Sequence, residues 1–200
     1  MEKAVNGKPF FSIVTPTLQR ESLIHCCESV NAQTFTDGWQ HVVQVDSTDL
    51  DVALINKIEH PQREIYCCGK HHNNGGNSCR VLALEMATAG YVAFVDDDNY
   101  LADDRVLEDV AMALEGAGSP PWGLFPIWRC GGRFYTDPPR SCHVDTMNVV
   151  LRRDTAYWPD TDAYGTDGLL VDDLMERKVP YVAFPDFRPI GVIPQISFCK

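Results

Sequence analysis

Between residues 10 and 95, short apolar runs alternate with amphipathic stretches, and this rhythm constrains the fold more than any other feature. "FFSIVT" at 10–15 is apolar and β-branched toward its end, so it reads as a buried strand that Pro16 should stop. "WQHVVQV" at 39–45, "EIYCCG" at 64–69 and "YVAFV" at 91–95 read as three more strands. Helical patterns separate them. "ESLIHCCESVNAQ" at 21–33 sets Leu23, Ile24, Cys27 and Val30 on one face. "DLDVALINKIEH" is a short helix ahead of Pro61, and "NSCRVLALEMATAG" at 77–90 is a longer one with Gly90 as its expected C′ residue. Strands joined through helices run parallel and are covered on both faces. The expected class is α/β, with a mostly parallel sheet flanked by helices. In such sheets ligands bind beyond the carboxyl ends of the strands. Asp46 and the Asp96–Asp98 run both follow strands, so they should converge on one edge.

The second half is less regular. "DRVLEDVAMALEG" at 104–116 and "DGLLVDDLMERK" at 167–178 are helical. "WGLFPIW" at 122–128, "GRFYT" at 132–136, "DTMNVVLRR" at 145–153 and "YVAFPD" at 181–186 look like strands. No linker separates the halves, so residues 1–200 are expected to form one domain built on a shared sheet. With 200 residues, 44% of them hydrophobic, the chain has enough apolar material for such a core. The net charge is −11 and no Lys/Arg cluster stands out, which disfavours nucleic acid and anionic membranes as partners. The N-terminal "MEKAVNGKPF" lacks a signal-peptide apolar core, and no window reaches the roughly 18 apolar residues of a membrane span, so the expected location is cytoplasmic. The eight cysteines include the adjacent pairs Cys26-Cys27 and Cys67-Cys68 and no CxxC, so reduced, mostly buried thiols are expected.

The chemistry concentrates where "YVAFV" runs into Asp96, Asp97 and Asp98. Three adjacent carboxylates are either a solvated turn or a site for a hard divalent cation such as Mg²⁺ or Mn²⁺, which takes oxygen ligands. In an extended segment Asp96 and Asp98 project to one side and Asp97 to the other. Three other stretches bear on the choice. They are the strand end "IVTPTLQR" at 13–20, the acidic turn "VDSTD" at 45–49, and "NNGGNSCR" at 73–80, a Gly-rich turn opening a helix with Arg80 one turn inside.

Together these residues resemble the nucleotide-sugar half of family 2 glycosyltransferases, inverting enzymes of the GT-A fold. The family's Thr-Pro strand end appears in "IVTPT". Its V-D-D-G-S-T-D-like turn appears as "VDSTD", without the glycine and one aspartate. Its N-x-G-x-x-x-A-R segment appears as Asn74, Gly76, Cys79 and Arg80, with Cys79 in the alanine place, and its DxD as Asp96 and Asp98. The resemblance spans roughly residues 10–100 and weakens toward 190. It implies a Rossmann-like, mixed sheet, a nucleotide-binding half over about 8–100 and an acceptor half with the catalytic base over about 101–200. It implies that Thr15 and Thr17 line the nucleotide pocket, that Asp46 contacts base or ribose, and that Arg80 reaches base or diphosphate. Asp96 would lie by ribose and metal, with Asp98 the more direct ligand of Mn²⁺ or Mg²⁺. The implied donor is a nucleotide sugar, UDP-sugar first, and the acceptor a saccharide or other hydroxyl.

The family's base is an aspartate at a helix start, often in an E-D pair. Spacing from "YVAFPD" selects Asp167, with Thr166 in the place of the usual acid and Asp173 as reserve; an aspartate there is also an ordinary N-cap. His143, in "SCHVDTMN", is a candidate contact for acceptor or phosphate, with a satisfied or exposed histidine the plainer reading. Trp122, Trp128, Tyr135 and Trp158 are candidates for sugar stacking, with core packing the plainer reading. "CCGKHH" at 67–72 invites zinc, but adjacent cysteines and adjacent histidines lack regular ligand spacing and a strand would splay them, so no zinc site is expected. Two alternatives remain: a nucleotidyltransferase of similar sheet, disfavoured because "TPTLQRES" has no glycine, and a non-catalytic nucleotide-sugar-binding subunit.

Overall fold

The computed structural model describes residues 4–5, 8–36 and 38–194. Its centre is three parallel strands, β1 (Phe11–Thr17), β2 (Trp39–Val45) and β3 (Arg63–Cys67), with β4 (Tyr91–Phe94) parallel to β1 on the other side. Every residue of β1 and β2 is buried, as expected of strands covered on both faces. The strand does not stop at Pro16, contrary to the sequence expectation; it pairs with β2 through Thr17↔Val45. The reason lies in where each backbone group points. The Thr17 carbonyl faces β2 and accepts from Asp46 N–H at 2.8 Å, whereas the Val14 carbonyl faces β4 and accepts from Val95 N–H at 3.0 Å. By alternation the nitrogen of Pro16 faces the β4 side, where pairing has already ended at Val14↔Phe94. A missing N–H costs nothing there.

The helices are α1 (Ser22–Asn31), α2 (Val52–Lys57), α3 (Asn77–Met86), α4 (Val106–Gly116) and α5 (Thr166–Glu176). Phe11 and Ile13 of β1 pack with Cys26 and Val30 of α1 and with Val110 and Leu114 of α4. Val14, pointing the other way, packs with Ala83 and Leu84 of α3 and Leu170 and Leu174 of α5. Period-two alternation thus feeds two cores, one on each face. The helix α3 ends at Met86, with Ala87 extended, four residues short of Gly90, which is not its C′ residue. The side chains of Gln40 and Ser12 capture the chain instead: Gln40 Oε1 accepts from Thr88 N–H and Oγ1–H, and Ser12 Oγ from Ala89 N–H.

In the second half, β5 (Tyr100–Leu101), β6 (Trp122–Leu124), β7 (Ile127–Arg129), β8 (Gly132–Phe134), β9 (Val149–Arg152), β10 (Tyr181–Ala183) and β11 (Gly191–Ile193) complete two sheets. The larger has seven strands in the order β10-β6-β9-β4-β1-β2-β3, with β9 antiparallel to β4 and β6 and the other pairs parallel. The smaller has the order β8-β7-β11-β5. The expected strand at 122–128 is two strands broken at Phe125-Pro126, one in each sheet, and the expected strand at 145–153 begins as a 3-10 turn, Thr146–Asn148, before β9. Because β9 runs antiparallel beside β4, the residues just before it lie beyond the carboxyl end of β4.

Cys26, Cys27, Cys67, Cys68, Cys79 and Cys142 are free thiols. Cys130 is disulfide-bonded, which corrects the expectation of reduced thiols throughout; Cys199 lies outside the described residues. Among the described residues no helix is long and apolar enough to cross a membrane.

Candidate active site

The carboxyl ends of β1, β2 and β4 open on one cavity of about 360 Å³, whose wall includes Thr17, Asp46, Gly76, Arg80 and Asp96–Asp98. Its volume is that of a small-molecule site. Asp97 is the buried member of the triplet, with 0% exposure, and turns inward. It accepts from Thr17 Oγ1 at 2.6 Å and from the Arg20 guanidinium, whose third nitrogen donates to Asp98 Oδ2 at 3.2 Å. A carboxylate out of water needs such partners. Asp96 and Asp98 keep partial exposure toward the cavity. Burial raises the pKa of Asp98, Arg20 opposes the rise, and Asp96 and Asp97 add to it.

Arg80 is buried, not a surface residue of its helix. Its guanidinium pairs with Asp96, donates to the Gly75 carbonyl at 2.9 Å, and lies 4.7 Å over the Trp158 ring. Gly76 caps α3 at φ +80°, and a Cβ there would stand 2.9 Å from Pro16 Cβ. Only glycine gives both the left-handed turn and this close approach to β1. Asp46 is buried and accepts the N–H groups of His72 at 2.7 Å and Asn73 at 3.2 Å, which fastens the Gly-rich turn to the end of β2.

Thr15 does not line the cavity, which corrects its expected place there. It shares a face with Thr17 but sits one strand step deeper, wholly buried, with Oγ1 2.9 Å from His41 Nε2. Arg63 Nε donates to His41 Nδ1 at 3.0 Å, so the Nε2 tautomer carries the proton to Thr15. Burial, with Arg63 beside it, pushes the His41 pKa well down, and the ring stays neutral.

A second cavity, about 150 Å³, adjoins the first through Gly75, Arg80, Asp96 and Tyr164 and is lined also by Asp145 and Asp167. Asp167 stands in the first turn of α5 behind Gly165, and its carboxylate accepts from Gly168 N–H at 2.9 Å. Gly168 lets α5 begin against the chain at Ser141, whose Oγ a Cβ would meet at 2.4 Å. The approach to α5 is held by Asn77, which donates to the carbonyls of Thr161 at 2.8 Å and Ala163 at 3.0 Å and accepts from Trp158 Nε1 at 3.0 Å. The Asp167 pKa is raised, first by burial and then by Asp96. Asp145 caps the 3-10 turn before β9, accepting from Met147 N–H at 3.3 Å and Thr146 Oγ1 at 3.2 Å. Burial, with Asp96 and Asp167 nearby, pushes its carboxyl up to about 6.

Asp173 lies one face away on α5, bonded to Tyr157 and Arg177, and lines neither cavity. His143 is exposed, with Nδ1 3.3 Å from the Ser141 carbonyl. Of the aromatic candidates Trp158 borders the second cavity; Trp122 is core, donating to the Val179 carbonyl at 3.2 Å. Sequence reasoning missed Arg20, Asn77, Asp145 and Tyr164. Arg20 is in the quoted "IVTPTLQR", but its two carboxylate partners are about 80 positions away. The signal for Asp145 was the capping pattern "DTMN", read instead as part of a strand.

The profile of glycosyl transferase family 2 matches residues 12–167. A poly(ribitol-phosphate) beta-glucosyltransferase of Bacillus spizizenii is 30% identical over 100 residues, 48% of this chain and 16% of that protein. Among solved structures, S. aureus TarS 1-349 in complex with UDP-GlcNAc superimposes with a TM-score of 0.70 at 18% identity, covering 94% of this chain and 59% of that one. A mannosyltransferase from Pyrobaculum calidifontis, PcManGT, in complex with GDP-Man and Mn²⁺, superimposes with a TM-score of 0.72 at 14% identity, covering 95% and 59%. The chain therefore spans well under two thirds of each of these relatives. The mixed, mostly parallel sheet flanked by helices is the GT-A arrangement they share. With the family profile covering three quarters of its length, this chain belongs to glycosyl transferase family 2.

Proposed function

We propose that the chain transfers a sugar from a nucleotide diphosphate sugar to an acceptor hydroxyl, with inversion and with a divalent cation. The observation that carries this reading is the convergence of Asp96, Asp98, Arg80 and the Gly75–Gly76 turn on one cavity, with Asp167 on the cavity that adjoins it. UDP-sugar is the favoured donor, supported by the UDP-GlcNAc complex of TarS; the GDP-Man complex of PcManGT marks the alternative. The nucleotide-binding part is about residues 8–100, and the acceptor part about 101–200.

The residues present fit Mn²⁺ or Mg²⁺. Three carboxylates meet only two guanidiniums, Arg20 and Arg80, which leaves negative charge facing the cavity, and all the donors are hard oxygens. Asp98 and the free oxygen of Asp96 would hold the ion, which when bound neutralises charge developing on the departing diphosphate. Thr17 and Asp46 flank the nucleotide, and Arg80 and the N–H groups at the start of α3 face the diphosphate. Asp167 takes the acceptor proton as the hydroxyl attacks the anomeric carbon from the opposite face. Its low exposure and its position by Asp96 raise its proton affinity toward that of a working base. Trp158 backs the Arg80 guanidinium and keeps it aimed.

Calorimetry with UDP and Mn²⁺, followed by transfer or donor-hydrolysis assays with a panel of nucleotide sugars, tests the reading. Binding with turnover supports it. Binding without turnover indicates a donor-binding subunit. Full metal-dependent transfer by Asp98→Asn overturns the metal role.

A further inference from the structure

The segment "CCGKHH" lacks the spacing of a metal motif, yet the fold gives one member of each pair a common destination. Cys67 turns to the Ser47 carbonyl, its Sγ donating at 3.0 Å, and His71 is exposed. Cys68 and His72 turn the other way, toward Asp46. One ligand atom from each of Asp46, Cys68 and His72 lies within 4.8 Å of the other two. We propose that these three side chains form a binding site for a thiophilic divalent cation of the zinc class, made of different side chains from the Asp96–Asp98 group.

The donor set is that of zinc: one thiolate, one imidazole and one carboxylate, with a fourth position left for water. Bond lengths of about 2.0–2.3 Å to such ligands put tetrahedral ligand atoms roughly 3.3–3.8 Å apart. The observed spread needs closure of no more than about 1.5 Å, which side-chain rotation supplies. A thiolate also selects against Mn²⁺ and Mg²⁺, which prefer the all-oxygen site nearby.

Three further observations support the site. His72 Nε2 is shut off from solvent and has no hydrogen-bond partner, a costly state that a metal bond would relieve. Asp46 is already oriented by the N–H groups of His72 and Asn73, which leaves lone pairs on both oxygens. The Gln44 side-chain amide donates to Cys68 Sγ at 3.3 Å, the kind of contact that settles a thiolate. Cys79 Sγ lies 3.5 Å from Cys68 Sγ, but it is Cys68 whose sulfur falls within reach of both Asp46 and His72. Binding releases the Cys68 proton and leaves two anionic ligands on a dication, a neutral cluster. Asp46 also lines the large cavity, so an occupied site would share a wall with it. The inference rests on no part of the proposed activity.

The test uses the whole metal-free chain with the Cys130 disulfide intact and the free thiols unoxidised. Equilibrium dialysis against Zn²⁺ should give one ion per chain, and Co²⁺ titration should give a thiolate-to-cobalt charge-transfer band. Cys68→Ser should remove the band, and His72→Gln should weaken Zn²⁺ binding on the order of 100-fold, with circular dichroism checking that each variant folds. Cys142→Ser, an exposed cysteine, and the double variant Asp96→Asn/Asp98→Asn should retain both signals. The proposal is overturned if Co²⁺ gives no charge-transfer band, if Cys68→Ser keeps it, or if Zn²⁺ uptake follows Asp96 and Asp98 instead.

Discussion

Two groups of carboxylates face the adjoining cavities, and they differ in what neutralises them. At the end of β4, Asp97 and Asp98 share Arg20, and Asp96 pairs with Arg80. Across the smaller cavity, Asp145 and Asp167 accept hydrogen bonds only from backbone N–H groups and a threonine hydroxyl. Guanidiniums pair with every member of the first group, and at Asp98 Arg20 opposes the rise in pKa that burial causes. The second group is half-buried with no guanidinium in salt-bridge contact among the described residues, and burial, with Asp96 adding to it, raises its proton affinity against the weaker pull of Arg129. Under the proposed function one residue type serves two chemistries, and the environment decides which.

The sharpest break in this comparison is Asp167→Asn. It should lower kcat by roughly 10²–10⁴-fold while leaving calorimetric binding of UDP and Mn²⁺ intact. Loss of donor binding would merge the two groups into one. In the wild type, kcat/KM should fall as pH drops through the raised Asp167 pKa, starting at a higher pH than an ordinary aspartate would allow, because the base must be ionised. A flat acid limb would remove Asp167 from the role. Asp98→Asn should show the opposite division: transfer down roughly 10²–10³-fold, with Mn²⁺-dependent UDP binding lost as well.

The structural side gives smaller effects. Asp97→Ala should cost about 2 kcal/mol in urea unfolding, since it strips Thr17 and Arg20 of a buried partner; the half-exposed guanidinium limits the loss. Asp145→Asn should do the reverse. Asparagine caps as well as aspartate, and it removes a carboxyl whose folded pKa, about 6, exceeds the ordinary unfolded value. The folded state then holds the proton more tightly, so ionisation destabilises it. The variant should melt a few degrees above wild type at pH 8, the gain shrinking as pH falls through 6 and vanishing near 4. A constant difference across that range would mean Asp145 is not the titrating group.

Much of the first half was legible because its signals are local. Strand β2 occupies the predicted residues 39–45, and the alternation of strands with helices was enough to bring Asp46 and Asp96–Asp98 to one edge. The errors fall where a distant partner overrules a local rule. Pro16 stays in its strand because β4 has ended beside it, and α3 stops early because Gln40 and Ser12 catch the chain that follows. Thr15 fails to reach the cavity because a residue two positions earlier on a parallel strand is a full step deeper.

The sequence by itself determined the sheet-forming pattern, the acidic ends of two strands and the split of the Asp triplet, since periodicity and charge repulsion act between neighbours in the chain. Only the tertiary structure decided which charges are paired. Arg20 reaches Asp97 and Asp98, Asn77 holds the approach to Asp167, and Asp46 comes within 4.8 Å of ligand atoms of Cys68 and His72, each across an interval that carries no local signal. Those pairings depend on which strand lies beside which, and strand order is fixed by the packing of two cores on one sheet.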